Sequence, residues 1–124
     1  MRALVVYETV FGCEADAARA VAEGLGHDPE TTVTVAEVHG VRPQYAEMFD
    51  VVVVTGPNRA SARGTRDWLA RLPDGLERSV LTYETRSARR LLVSERRRAV
   101  GWGVGLAVRV GLGVAVRSAD RLAR

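Results

Sequence analysis

The sequence predicts an α/β fold, a parallel sheet with helices on both of its faces. Three observations carry that expectation. The first is the apolar run Leu4-Val5-Val6-Tyr7, which turns abruptly into Glu8-Thr9-Val10-Phe11-Gly12. The second is Val51-Val52-Val53-Val54, which stops at Thr55-Gly56-Pro57-Asn58. Near-continuous runs of this length suit strands buried on both sides, as in parallel sheets. The third is that such runs alternate with segments of helical period, the pattern of right-handed β-α-β crossovers. In such sheets ligands bind outside the carboxyl ends of the strands, so the two corners point to one site.

Each element follows from its own residues. Residues 2–7 are a strand, too short an apolar run for a helix. Residues 14–25 are a helix: Ala15, Ala18, Val21, Ala22 and Leu25 recur at three- and four-residue spacing, and Gly24 and Gly26 supply the stop. His27-Asp28-Pro29-Glu30 is a loop. Residues 32–38 alternate as a half-buried strand, with Val33, Val35 and Val38 set against Thr and Glu. Pro43 opens a short helix within residues 41–49, because proline suits a first helical turn. Residues 50–55 are the most apolar strand and 56–64 a polar loop. Residues 65–72 are a short helix ended by Pro73-Asp74-Gly75, and 79–83 a fourth strand.

The tail reads as strand again. From 102 to 116 every even position is large and apolar: Trp102, Val104, Leu106, Val108, Val110, Leu112, Val114 and Val116. The odd positions hold Gly, Ala or Arg109. Period two is strand patterning, and each glycine between Gly101 and Gly113 disfavours a helix by about 1 kcal/mol. The expectation is a fifth strand, or a hairpin turning near residues 111–113. A membrane helix over residues 99–116 is disfavoured, because a central Arg109 costs about 2.5–3.5 kcal/mol.

Bulk properties narrow the function classes. A chain of 124 residues, 47% hydrophobic and 27% charged, is one globular domain. The single cysteine, Cys13, allows no internal disulfide and fits a reducing compartment. Met1-Arg2 leads straight into strand-like sequence with no basic leader, so a cytoplasmic location is expected. All 18 basic residues are arginine, and they are unevenly spread. Residues 1–62 hold four arginines against nine acids; residues 63–124 hold fourteen against six. The basic half is suited to salt-sensitive contact with an acidic partner or membrane surface. With no aromatic interleaving and no recognised motif, nucleic acid is not an expected partner.

Several chemistries lack their motif. There is no G-x-G-x-x-G between strand and helix, and a chain without lysine has no P-loop. Thr55-Gly56 ends the third strand where a phosphoacceptor would need an aspartate. His27 and His39 sit in polar surroundings without metal-ligand spacing, and no Ser/His/Asp set can be assembled, so no catalytic or metal-ligating residue is expected. Cys13 reads as a small apolar filler, Trp68 and Tyr83 as packing residues, and Arg96-Arg97-Arg98 as a solvated face.

The first corner carries a hydroxyl at Thr9 and a glycine at Gly12 just before a helix. Helix N-termini present unpaired N–H groups and a positive dipole end, which suits a phosphate dianion. At this point the chain resembles the flavodoxin-like family. The matching motifs are residues 3–12, residues 50–60, Thr65-Arg66 with Trp68-Leu69, and Leu81-Thr82-Tyr83-Glu84-Thr85-Arg86, in the family's order over about residues 1–86. The resemblance implies a doubly wound, three-layer fold with strand order 2-1-3-4 and a fifth strand from the tail. It implies non-covalent FMN and electron transfer with a redox partner protein. Thr9, Val10, Phe11, Gly12, Cys13 and Glu14 would hold the phosphate. Gly56, Pro57, Asn58, Arg59 and Ala60 would flank one side of the ring, and Glu84, Thr85 and Arg86 the other.

The chain departs from the family at Cys13 and Glu14, where a small polar residue and then Thr or Ser are usual. A carboxylate about 5 Å from a phosphate costs on the order of 3 kcal/mol per charge pair at an effective dielectric near 20. That is roughly a hundredfold in affinity. Glu14 also has a structural role open to it, since an acid in a first helical turn stabilises the helix. The alternative expectation is therefore a flavin-free, flavodoxin-like binding or regulatory protein. Residues 87–124 do not match the family's usual last strand and helix.

Overall fold

A computed structural model describes residues 1–10, 12–56, 63–76, 80–84 and 93–122. In chain order the elements are β1 (Arg2–Tyr7), α1 (Glu14–Leu25), β2 (Thr32–Glu37), β3 (Val51–Gly56), α2 (Arg63–Ala70), β4 (Val80–Glu84) and α3 (Val93–Leu122). Two 3₁₀ segments, Val38–Gly40 and Pro43–Met48, connect β2 to β3. The strands are all parallel, in the order β2-β1-β3-β4. This is the doubly wound, flavodoxin-like architecture expected from the sequence.

The two central strands explain their own composition. On one face Ala3, Val5, Val51 and Val53 pack under Ala18, Val21 and Leu25 of α1 and Ala99, Leu106 and Ala107 of α3. On the other, Leu4, Val6 and Val52 meet Trp68 of α2 together with Val38 and Ala46. Both sides of β1 and β3 are covered, so neither strand alternates. β2, at the sheet's edge, alternates imperfectly and leaves Thr32, Thr34 and Val35 exposed. Register at the amino end is fixed by the Arg2 N–H, which donates to the Asp50 carboxylate at 2.8 Å, while the Asp50 N–H donates to the Arg2 carbonyl at 2.8 Å.

The turn into β2 is organised by Asp28. Its carboxylate accepts from the Glu30 N–H at 3.1 Å and from the Thr31 hydroxyl at 2.9 Å. These bonds, the backbone one foremost, hold its pKa below the usual aspartate value. A depressed carboxylate pKa adds stability above the unfolded value that is lost as pH falls through the folded one. Asp28→Asn is therefore expected to lower the urea midpoint at pH 7, with the deficit shrinking as pH drops below about 3.9.

The tail corrects the sequence expectation. Residues 102–116 form neither a fifth strand nor a hairpin; they belong to the 30-residue helix α3. The reason is how α3 meets α1. A Cβ on Gly24 would stand 2.0 Å from the Val100 carbonyl oxygen, and one on Gly103 would stand 2.3 Å from the Val21 carbonyl oxygen. The two backbones thus approach more closely than any side chain permits. Ala99, Gly103, Leu106 and Ala107 recur on the buried side of α3 at helical spacing. Close packing offsets the intrinsic penalty of glycine in a helix. Gly24 is correspondingly an interior packing residue of α1, and the helix ends at Gly26, whose N–H donates to the Ala22 carbonyl at 2.9 Å.

Candidate functional site

Because all four strands are parallel, their carboxyl ends share one edge with the first turns of α1 and α2, which follow β1 and β3. At the first corner Gly12 has φ 112°, a left-handed conformation that favours glycine. It turns the chain so that the Gly12 N–H faces the first turn of α1. That N–H is already used: it donates to Glu14 Oε2 at 2.8 Å. The Glu14 side chain is completely buried, and Cys13 beside it is 1% exposed. A carboxylate leaves water only where donors meet it, and the positive end of a helix is a favourable place for one.

The second corner repeats the arrangement with a different acid. Glu8, buried at the end of β1, accepts from the Thr65 N–H at 3.1 Å and from the Thr65 hydroxyl at 3.5 Å, capping the first turn of α2. Gly64 leaves room for it, since a Cβ there would lie 2.3 Å from Glu8 Oε2 and 3.0 Å from His39 Nε2. His39 is held from its other side by Glu37, with Nδ1 at 2.9 Å from Oε1 and its N–H donating to Oε2 at 2.7 Å. The α2 start is therefore capped by one of the chain's own carboxylates, while at α1 a carboxylate holds the Gly12 N–H just ahead of the helix. Glu8→Ala is expected to lower stability by about 1 kcal/mol through loss of the cap, and Glu8→Gln by less, as read by urea unfolding.

A third feature lies on the α1 side. Thr55, next to last in β3, lies on the same face as Val51 and Val53 and is 1% exposed, yet its hydroxyl has no hydrogen-bond partner among the described residues. An unsatisfied buried hydroxyl costs about 1–3 kcal/mol.

The structure brings some of the expected site residues together. Thr9, Val10, Gly12, Cys13 and Glu14 share the first loop, with Thr9 and Val10 exposed and Cys13 and Glu14 turned inward. Gly56 and Glu84 lie side by side at the ends of β3 and β4. Phe11, Pro57, Asn58, Arg59, Ala60, Thr85 and Arg86 lie outside the described residues. The Arg96-Arg97-Arg98 run is more than a solvated face. Arg96 pairs with Glu23 of α1, and Arg98 donates to the Glu84 carbonyl at 3.1 Å with its guanidinium 5.1 Å from the Tyr83 ring centre. Sequence reasoning missed Glu8 and Thr55 as individual actors. Glu8 caps a helix 57 residues away, and no local pattern marks such a pair.

Among the described residues no group of three or more His, Cys, Asp or Glu could hold a metal ion, and no helix is long and apolar enough to cross a membrane. FMN, the cofactor that the fold suggests, would need its phosphate at the α1 start. Of the donors near that start, the Gly12 N–H is already taken by the buried Glu14 carboxylate, whose charge opposes a phosphate.

No family model and no curated protein matches this sequence. Solved structures do match in fold. A flavodoxin from Streptococcus pneumoniae superposes with a TM-score of 0.65 at 16% identity, covering 88% of this chain and 99% of that one. A flavodoxin-like domain from Synechococcus gives 0.62 at 13% identity, covering 96% and 99%. A flavodoxin from the domain Archaea gives 0.56 at 14%, covering 90% and 99%. At these identities the likeness is one of fold.

Proposed function

We propose that this chain is a flavodoxin-fold protein that works without a bound flavin, as a binding or regulatory domain. One observation carries the reading. The buried Glu14 carboxylate takes the Gly12 N–H at 2.8 Å, at the helix start where an FMN phosphate would need its donors. Glu8 supports it, because the α2 start at the same edge is capped by the chain's own carboxylate. The function then resides in the surface, and the basic second half of the chain suits an acidic partner.

The second reading is an FMN-binding electron carrier with a redox partner protein. It is favoured by the likeness to solved flavodoxins over most of this chain. There the flavin ring supplies the redox chemistry. The adjacent ends of β3 and β4, at Gly56 and Glu84, would lie beside the ring.

Purified protein separates the two. The first reading expects a colourless protein that leaves FMN fluorescence unquenched through the micromolar range. A yellow protein, or saturable quenching, overturns the first and supports the second.

A further inference from the structure

We propose that the outer edge of β2 is a self-association surface, on which the β2 of a second copy adds antiparallel about a two-fold axis and joins the two sheets into one. β2 closes one side of the sheet and, among the described residues, pairs with β1 alone. Such edges are normally blunted by a charge, a proline, a bulge or a covering segment. The strand Thr32-Val33-Thr34-Val35-Ala36-Glu37 holds no proline or glycine and keeps an unbroken register with β1. Its one charge comes only at the last position, and Thr32, Thr34 and Val35 are exposed.

What fits this edge is the same strand turned around. The Thr32 N–H donates to the Met1 carbonyl at 2.8 Å, so Thr32, Thr34 and Ala36 turn their backbone groups to β1 while Val33 and Val35 turn theirs outward. In an antiparallel pair centred on Thr34, Val33 lies opposite Val35 of the second copy and exchanges both backbone bonds with it. These two valines share the α1 face, where Val33 packs on the core and Val35 is 36% exposed. The match sets β-branched side chains next to one another and covers Val35. Thr34 meets its own copy, Thr32 meets Ala36 and Glu37 meets Thr31, so no like charges are opposed. Centring the pair on Val35 would instead set Glu37 against Val33. The helices leave room for the contact. α1 sits over β1, so the two α1 helices would stand three strand spacings apart, roughly 14 Å. That is wider than the about 8–10 Å of packed helices.

A pair of strands this short covers less than a standard interface, so the dimer is expected to be weak, with a Kd on the order of 100 µM. Sedimentation equilibrium of the native chain from about 10 µM to about 1 mM is expected to pass from monomer to dimer. Thr34→Lys changes an exposed side chain and sets two like charges face to face at the axis. It is expected to weaken the dimer at least about tenfold. Thr34→Val, which adds no charge, is expected to dimerise as the native chain does or more tightly. Hydrogen exchange reads the same edge without a substitution: the Val33 and Val35 amides are expected to slow as the native chain is concentrated. A native chain still monomeric at about 1 mM overturns the proposal. So does a dimer that Thr34→Lys leaves intact, or one in which the Val33 and Val35 amides exchange as fast as in the monomer. β2 lies at the opposite side of the sheet from β4, so this test and the FMN titration succeed or fail separately.

Discussion

Gly24→Ala is expected to destabilise the protein by about 2–3 kcal/mol, the range for forcing an extra methyl into a filled interior. The sign is informative, because alanine in a helix interior is intrinsically better than glycine by about 1 kcal/mol. The methyl would stand 2.0 Å from the Val100 carbonyl oxygen and 2.9 Å from its carbon. Both are backbone atoms, so no side-chain rotation relieves the clash and α1 must part from α3. Gly103→Ala meets the Val21 carbonyl oxygen at 2.3 Å and belongs to the same contact. The double variant is therefore expected to lose less than the two single losses combined. Gly101 and Gly105 supply the control. They lie on the open side of α3 with nothing within 4 Å of a Cβ, so Gly101→Ala is expected to gain up to about 1 kcal/mol. Urea unfolding of the four variants reads both signs.

The larger loss is expected at Trp68. Its side chain is 4% exposed in the cluster formed with Leu4, Val6 and Val52, and its indole N–H donates to the Val41 carbonyl at 2.8 Å. Trp68→Ala removes a large buried ring and is expected to lose about 3–5 kcal/mol. Trp68→Phe keeps most of the ring and strips the donor, leaving the Val41 carbonyl short of a partner, for an expected loss of about 1–2 kcal/mol. The step between these two variants separates packing from the hydrogen bond. The indole ties α2 to the connection after β2, so its loss is also expected to loosen the α2 start that Glu8 caps.

What was legible in the sequence, and what was not, follows from the range of the forces involved. β1 and β3 were legible because burial on both faces leaves an uninterrupted apolar run. α1 was legible from its helical spacing. α3 was not, because its alternation of large and small residues has the period of a strand. Gly103 makes sense only against the backbone of α1, roughly eighty residues earlier in the chain. Gly24 was misread as a stop for the same reason, since its partner at Val100 is distant in sequence. At the candidate site, the conflict between an acid and a phosphate at position 14 was visible as charge alone. That the acid turns inward to the Gly12 N–H depends on the left-handed turn at Gly12, which a sequence does not display. Glu8 at the start of α2 and the unpartnered Thr55 hydroxyl are likewise consequences of the fold.

A single hydrogen bond, from the Gly12 N–H to the Glu14 carboxylate, separates the two readings, and scalar coupling across it can be measured. In uniformly ¹³C,¹⁵N-labelled native protein, a long-range correlation between the Gly12 amide nitrogen and the Glu14 side-chain carboxyl carbon is expected, with the Gly12 amide slow to exchange. A Gly12 amide without that coupling, exchanging as fast as an open loop and shifting saturably with FMN, would contradict the flavin-free reading.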